Sequence, residues 1–497
     1  MSRPNVLFLF SDQHAHRVAG FAGDPVAQTP NLDRLAREGV TFEHAYCPSP
    51  LCVPSRMAML TGRHPYEQEC WTNDDYLRSD AATWLHSAGA AGYKPILAGR
   101  LHSMGPDQLH GYAQRMVGDH SPNWGGVPRH DLGVLDKAND PWRESLERSG
   151  IGQSAYQVKD AETTRAACDL LRELGAAARE GRGEPFCLTV GFLLPHPPYV
   201  AWREDYERFA GRVPPPTHGE PPTPPHPWER WWRENRGISV LDPAATQRAR
   251  TAYYALVYRL DAMIGEVLDC LAATGLARDT LIVYSTDHGD QLGERGLWWK
   301  HTLYEDSVRV PLLVRWDGVV PAGERRTQVV DLADVAATMA AAMGGPPLPY
   351  SHGRDLLPRL PDASFRRIYL LYPDPWPKRR HWKRRLINPE FTALAHTALA
   401  PGGVVYVRTD HEEYFAQMIE VFDANADFVR HEAPAGLLEV VTDFEADFNR
   451  AGTALLPELS RRGALPSSRG LLPLLASSKA TEAAESAPVV EPTTTAA

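Results

Sequence analysis

The residues with the most distinctive chemistry stand together in the run Cys52-Val53-Pro54-Ser55-Arg56. A thiol, a rigid proline and an arginine here precede residues 57–63, which begin with good helix formers. A cysteine at a helix start faces the positive end of the helix dipole, which makes its thiol more reactive. A free cysteine is nevertheless often a buried structural residue. The run by itself therefore leaves a structural and a chemical interpretation open.

Further polar groups follow stretches that the sequence predicts to be buried strands. The continuous apolar runs 5–11, 186–194 and 280–286 are typical of strands in a parallel sheet. They are followed by Asp12 and Gln13, by His196, and by Asp287 and His288. Ligands bind at the carboxyl ends of strands in open α/β sheets, so these side chains are candidates for one site. For Asp12 a turn or helix cap is an equal alternative, and a histidine such as His196 is by default a core or surface residue.

Helices and loops must bring these groups together. Apolar spacing predicts helices over residues 29–36, 82–91 and 251–271, and the spacing of the first extends to Val40. This first helix is expected to deliver the chain to the cysteine run. A strand over residues 93–98 would place Arg100 and His102 at another strand end, with Asn73 in a polar loop before it. Eight prolines within residues 214–227 predict an extended surface loop.

Composition limits the class of protein. The chain has 497 residues, 43% of them hydrophobic and 23% charged, which is typical of a soluble globular protein of two or three domains. Its formal net charge of -10 argues against wholesale nucleic-acid binding. The six cysteines form no C-x-x-C pair, so neither a zinc site nor a disulfide framework is indicated. The apolar run at residues 5–10 is too short for a signal segment or a membrane span, so a cytoplasmic location is expected.

Over residues 4–360 the chain resembles the type I sulfatases of the alkaline-phosphatase superfamily. Residues 52–63 fit the pattern C-x-P-S-R-x-x-x-L-T-G-R, and residues 300–312 are close to the family's K-x-x-x-Y/F-E-x-S-x-R-V-P run. The run Gly-Pro-Asp-Gln-Leu-His-Gly at 105–111 and the Asp-Gln pair at 12 and 13 resemble the choline-sulfatase branch. Arg100-Leu101-His102 stands where the family has Lys-x-His, which keeps the charge but changes its shape.

The resemblance implies that Cys52 is oxidised to formylglycine by a formylglycine-generating enzyme. One hydroxyl of the hydrated aldehyde would attack sulfur, and the other would then drive elimination of sulfate. One divalent metal ion, calcium or alternatively manganese, would be held by Asp12, Gln13, Asp287 and His288.

The resemblance also implies roles for the surrounding side chains. Arg56 would hold the hydrate, and His196 would act as general acid for the leaving group. The sulfuryl oxygens would be surrounded by Arg100, His102 and Lys300. Asn73 completes the predicted site as a substrate-binding residue.

From about residue 366 to 455 the chain resembles a different family, the bacterial tRNA (guanine-N7)-methyltransferases. The run 373–385 matches the P-D-P-W-P-K-x-R-H-x-K-R-R motif. The positions that correspond to that family's site are Asp374, Lys378, Asp410, Thr442 and Glu445. The match covers only the C-terminal half of that fold, and no glycine-rich turn for S-adenosylmethionine stands upstream of Ile368. Strands at 368–372 and 404–408 are therefore expected either to dock onto the sulfatase core or to stay loosely ordered, without methylating tRNA.

The predicted architecture is α/β, a sulfatase-like sandwich with a mostly parallel central sheet over residues 1–364. A partial methyltransferase-like domain over 365–463 and a disordered tail over 464–497 complete the chain. The predicted function is metal-dependent hydrolysis of a small sulfate ester. A phosphonate monoester or phosphodiester hydrolase is one alternative, and a tRNA methyltransferase or RNA-binding module is another. Weak RNA contact is expected at the basic residues 378–385, and the sequence leaves a homo-oligomer open.

Overall fold

The central sheet of the protein has eight strands. The computed structural model describes residues 3–119, 137–221, 224–357, 365–371, 385–408, 412–429 and 476–477. The strands are β1 (Asn5–Asp12), β2 (Val40–Tyr46), β3 (Pro95–Gly99), β4 (Gln114–Val117), β6 (Cys187–Pro195), β8 (Thr280–Thr286), β9 (Leu312–Arg315) and β10 (Glu324–Asp331). Their order across the sheet is β10-β2-β9-β8-β1-β6-β3-β4. Only β9 runs antiparallel to its neighbours in this sheet. The predicted α/β fold with a mostly parallel sheet is therefore confirmed.

Three adjacent strands explain how distant residues meet. β1 lies between β6 and β8 and is parallel to both, with Val6 opposite Cys187 and Leu281. All residues of these three strands are buried, as their continuous apolar sequences predict. Their carboxyl ends, and the polar residues that follow them, consequently lie side by side.

Helices flank the sheet. They are α1 (Pro30–Glu38), α2 (Cys52–Thr61), α3 (Trp84–Ala90), α4 (Arg143–Glu147), α5 (Ala155–Arg179), α6 (Arg203–Phe209), α7 (Pro227–Asn235), α8 (Pro243–Thr274), α9 (Glu305–Val308) and α10 (Leu332–Ala342). The two longest, α5 and α8, pack on each other and on β6. A short parallel pair, β5 (Gly150–Ile151) with β7 (Val200–Ala201), stands apart from the main sheet. Among the described helices none has the length and apolar character needed to cross a membrane.

One local prediction was wrong, and one predicted helix is confirmed but is longer than expected. Val40 does not continue the first helix, because α1 ends at Glu38 and Val40 begins β2. The β-branched and aromatic residues Val40, Thr41 and Phe42 favour a strand here. The helix expected from residue 251 begins earlier, at Pro243, because Asp242 caps it by accepting a hydrogen bond from the Ala244 amide at 3.0 Å.

The chain divides into two units, Met1–Pro358 and Arg359–Ala497. The domain boundary predicted at residue 364 falls within residues 358–364, which lie outside the described part of the chain. In the second unit β11 (Phe365–Leu371) and β12 (Leu399–Arg408) pair with each other in parallel, an arrangement that neither of the two expectations for these strands included. The helices α11 (Pro389–Ala398) and α12 (Glu412–Asp423) belong to the same unit.

Much of the predicted methyltransferase segment lies outside the described residues. This holds for the basic run except Arg385, and for Asp374, Lys378, Asp410, Thr442 and Glu445. Of the predicted tail 464–497, the structure describes β13 (Ala476–Ser477), which pairs antiparallel with β12.

Candidate active site

Cys52 is the first residue of α2 and is buried at the carboxyl edge of the central sheet. Its Sγ lies 3.2 Å from Nε2 of His288 and 3.3 Å from Nζ of Lys300. The Asp12 carboxylate is the next neighbour, with Oδ1 at 3.9 Å. The signature cysteine therefore meets groups from the ends of β1 and β8 that are far from it in sequence.

Two arginines bind the carboxylates at these strand ends. Arg56, one turn into α2, donates from Nε to Asp287 Oδ2 at 2.8 Å and from Nη2 to Asp12 Oδ2 at 3.0 Å. Arg100, just after β3, donates from Nε to the same Asp12 oxygen at 2.6 Å. The helix and three strand ends are thus tied together by charge-assisted hydrogen bonds, which are stronger than neutral ones.

Gln13 is held so that its side-chain oxygen faces Lys300. Its amide nitrogen Nε2 donates to Asp290 Oδ2 at 2.7 Å, and Oε1 accepts from Lys300 Nζ at 2.7 Å. Its backbone adopts a positive φ of 69°, and its backbone N–H donates to Asp287 Oδ1 at 3.0 Å. Positive φ is uncommon for a residue other than glycine, so the surrounding contacts must hold this conformation.

The donor set fits a divalent cation. Asp12, Cys52, Asp287 and His288 each offer one ligand atom, and these atoms all lie within 4.8 Å of one another. His288 Nδ1 is 3.0 Å from the carbonyl oxygen of Gly289, which orients Nε2 towards the site. The buried Arg56 Nη1 has no hydrogen-bond partner among the described residues, so a donor remains for an oxygen ligand. Two carboxylates and one imidazole are ligands that divalent cations accept in proteins.

The remaining predicted residues also lie here. His196 Nε2 is 3.1 Å from Lys300 Nζ, and its Nδ1 is 2.7 Å from the carbonyl oxygen of Pro197. His102 Nδ1 is 2.8 Å from Arg100 Nη2. Asn73 accepts a hydrogen bond from the Val53 amide at 3.0 Å, so it caps the start of α2 beside Cys52. The structure brings all eleven predicted residues of the hydrolase site together.

Burial and neighbouring charges set the protonation of the site. Burial raises the pKa of the Cys52 thiol to about 11, and the Asp12 carboxylate adds to the rise. Burial would also raise the pKa of Asp12, but Arg100, His196 and Arg56 together hold it well below its usual range. Burial and then Lys300 hold the pKa of His196 well below its usual value. The unmodified thiol is therefore protonated at neutral pH, contrary to the reactive thiol that a helix start suggests.

Sequence reasoning missed several supporting residues. Asp290 accepts hydrogen bonds from Gln13 and, at 2.6 Å, from the Tyr199 hydroxyl. Its place three residues after Asp287 was the available signal. Asp119 accepts from the His102 backbone amide at 3.0 Å and from Arg115 at 2.9 Å. No motif in the sequence marked it.

Comparisons with known proteins identify the family of each part of the chain. Residues 4–345 match the family model described as Sulfatase, and residues 352–457 match one described as Putative methyltransferase. The choline-sulfatase of Rhizobium meliloti is 32% identical over 355 residues, 69% of this chain and 68% of the relative. Arylsulfatase K of Homo sapiens is 26% identical over 448 residues, 85% of this chain and 77% of the relative.

A solved structure shares the fold. The phosphonate monoester hydrolase of Agrobacterium radiobacter superposes with a TM-score of 0.57 at 22% identity, over 72% of this chain and 77% of that one. The resemblances to a sulfatase and to a methyltransferase, in this order along one chain, are both confirmed. The chain belongs to the sulfatase family of sulfuric ester hydrolases, joined on its C-terminal side to a methyltransferase-like segment.

Proposed function

We propose that the protein hydrolyses a small sulfate ester through a formylglycine made from Cys52. The observation that carries the proposal is the position of Cys52 Sγ, within 3.3 Å of both His288 and Lys300 at the first turn of α2. A buried, protonated thiol is a poor nucleophile, since the thiolate is the reactive form. An oxidised side chain at the same position would supply a hydrated aldehyde, whose two hydroxyls allow attack on sulfur and subsequent release of sulfate.

Asp12, Gln13, Asp287 and His288 would hold one divalent ion, calcium or manganese, beside this residue. The ion would supply positive charge for the sulfuryl oxygens and for the attacking oxygen. Arg56 keeps the two carboxylates fixed, and its remaining donor, Nη1, has no hydrogen-bond partner among the described residues. Preorganised donors of this kind stabilise charge that develops in the transition state.

Arg100, His102 and Lys300 would orient the sulfate. Their positions around Cys52 are held by contacts outside the substrate: Arg100 by Asp12, and the backbone of His102 by Asp119. Lys300 is held by Gln13, whose oxygen accepts one of the three ammonium hydrogens. The other hydrogens of Lys300 point towards Cys52 and His196.

His196 and Lys300 would together deliver a proton to the leaving oxygen. With its Nδ1 proton donated to the carbonyl of Pro197, His196 accepts from Lys300 through Nε2. The pair therefore shares one proton that the leaving alkoxide can take. In this arrangement Lys300 carries the proton, and the hydrogen bond to His196 Nε2 orients the N–H group of Lys300. The general-acid role predicted for His196 alone is thereby assigned to the pair.

Turnover of matched esters tests the proposal. Choline sulfate and 4-nitrophenyl sulfate should be hydrolysed by protein made together with a formylglycine-generating enzyme. A phosphonate monoester and a phosphodiester of 4-nitrophenol carry the same single charge, so they separate preference for sulfur from simple charge recognition. Faster turnover of either phosphorus ester would overturn the sulfatase proposal in favour of that alternative.

We propose no methyl transfer for the second unit. Its described part holds the parallel pair β11 and β12, and the sequence before Ile368 lacks the glycine-rich turn that holds S-adenosylmethionine. The basic residues 378–385 would bind RNA weakly and with strong salt dependence. Incubation with labelled S-adenosylmethionine and unmodified tRNA should leave the tRNA unlabelled, and methyl transfer above background would reverse this proposal.

A further inference from the structure

A buried carboxylate on α5 completes the hydrogen bonding of β6 just before His196. β3 ends at Gly99, and the last bond on this side runs from the Arg100 amide to the Gly191 carbonyl at 2.9 Å. Beyond that point Asp160 takes over as the acceptor. The Leu193 amide donates to its Oδ1 and Oδ2 at 2.9 and 3.0 Å, and the Leu194 amide donates to Oδ2 at 2.8 Å.

A second residue of the same helix face reaches His196 itself. Tyr156 precedes Asp160 by four positions, so the two side chains lie on one face of α5. The Tyr156 ring lies with its centroid 5.9 Å from that of His196, tilted by 52°. Tyr156 is 2% exposed and Asp160 1% exposed, so neither contacts bulk solvent. One residue therefore holds the backbone that leads to His196, and the other packs against its ring.

We propose that Tyr156 and Asp160 are positioning residues that set the direction of His196 towards Lys300. The inference rests on the proposed proton delivery by the His196–Lys300 pair. His196 Nε2 must remain about 3.1 Å from Lys300 Nζ for this pair to share its proton. A displacement on the order of 1 Å at a reacting group lowers rates by up to about 100-fold.

Asp160→Asn is the informative substitution. Asparagine keeps the shape of the side chain but offers one acceptor oxygen, and its NH₂ group would face a backbone N–H. An asparagine oxygen at the position of Oδ2 could still accept from the Leu193 and Leu194 amides, but the NH₂ group would then stand where Oδ1 lies, 2.9 Å from the Leu193 amide nitrogen. This donor–donor contact replaces a hydrogen bond, so the segment before His196 would shift.

The matched control is Asp261→Asn. Asp261 on α8 is also 1% exposed, and its carboxylate accepts from the Leu32 amide at 2.8 Å and from the Asn31 amide at 3.1 Å. Asp261→Asn therefore perturbs a similar set of hydrogen bonds, but at the start of α1.

Two aryl sulfates separate positioning from general damage. Phenoxide is a poorer leaving group than 4-nitrophenoxide, so phenyl sulfate depends more on proton delivery. We expect Asp160→Asn to lower kcat/KM on phenyl sulfate about 10-fold more than on 4-nitrophenyl sulfate. Asp261→Asn should change both substrates by the same factor. Equal losses on the two substrates for Asp160→Asn would overturn the inference.

Tyr156 gives a second test in case Asp160→Asn does not fold. Tyr156→Leu removes the ring, whereas Tyr156→Phe keeps it. Tyr156→Leu should show the leaving-group-dependent loss of kcat/KM. Tyr156→Phe should retain most of the wild-type kcat/KM on both substrates. Equal behaviour of the two variants contradicts the inference.

His196→Ala separates this inference from the proposal on which it rests. If His196→Ala shows the leaving-group-dependent loss and the α5 variants do not, proton delivery stands and the positioning role is refuted. If His196→Ala lowers both substrates equally, proton delivery by His196 fails and the positioning role fails with it.

Discussion

Replacement of Arg56 by methionine should strongly destabilise the first unit. Arg56 is fully buried, and its guanidinium donates to Asp287, to Asp12 and to the Ser11 carbonyl at 2.8, 3.0 and 3.3 Å. It also lies over the Phe10 ring, 5.0 Å from its centroid. Methionine fills much of the same volume but carries no charge. The carboxylates of Asp12 and Asp287 would then stay buried without the positive charge and hydrogen bonds of Arg56. Removing one partner of a buried ion pair costs about 3–5 kcal/mol, and we expect this loss of unfolding free energy for Arg56→Met.

The matched control is Arg250→Met. Arg250 is 1% exposed, but its guanidinium donates to the carbonyl oxygens of Pro214 and Leu292, and its nearest carboxylate, Glu294, is 3.9 Å away. Its loss leaves unpaired carbonyls and should cost roughly 1–3 kcal/mol.

Urea unfolding followed by tryptophan fluorescence, in buffer with a chelator, gives both free energies. Added calcium should stabilise Arg56→Met more than Arg250→Met, because the uncompensated carboxylates Asp12 and Asp287 lie in the proposed ion site. A loss below about 1 kcal/mol for Arg56→Met would refute the view that this arginine offsets the buried charge.

Three other predictions follow from the site and its surroundings. Cys52→Ala should abolish sulfate ester turnover with an unchanged melting temperature, while Cys70→Ala, at another buried cysteine, should keep turnover; full activity of Cys52→Ala would exclude it as nucleophile. Chelation should remove turnover and calcium or manganese should restore it, and activity that survives exhaustive chelation would contradict the ion site. Burial raises the pKa of Asp261 to about 6, above the value of about 3.9 in an unfolded chain. The folded protein therefore binds the Asp261 proton more tightly than the unfolded chain. The stabilisation from this difference is fully present below about pH 4 and is lost as the pH rises through about 6. The stability deficit of Asp261→Asn against wild type should therefore be smaller at pH 7 than at pH 4 by about 3 kcal/mol, and a deficit independent of pH would contradict the raised pKa.

The residues of the site could be predicted from the sequence more completely than the buried carboxylates that hold them in place. The apolar runs before Asp12, His196 and Asp287 are strong signals, because a strand buried on both faces needs continuous apolar residues. Parallel pairing of those strands then follows, and it places their carboxyl ends together. The position of Cys52 beside these strand ends requires only one further element, a helix that begins at the same edge of the sheet.

The supporting carboxylates were hidden for a physical reason. Asp160 and Asp290 are buried acids, whereas an aspartate in sequence most often marks a cap or an exposed surface. The partners described above lie far away in sequence: the Leu193 and Leu194 amides for Asp160, and the Gln13 amide group and Tyr199 hydroxyl for Asp290. No local pattern encodes the contacts of Asp160, and only the spacing from Asp287 pointed to Asp290. Val40 was misassigned for a different reason: its spacing from Leu35 fits the helix, whereas the β-branched and aromatic residues that begin with it favour the strand β2.

Peptide mass spectrometry across residues 50–63 tests the central claim most directly. Protein made together with a formylglycine-generating enzyme should yield a peptide in which the CH₂SH group of Cys52 has become an aldehyde, and this peptide should react with a hydrazine probe. The fraction converted should rise and fall with the rate of sulfate ester hydrolysis across preparations. A preparation that hydrolyses sulfate esters at full rate while Cys52 remains an unmodified thiol would contradict the account.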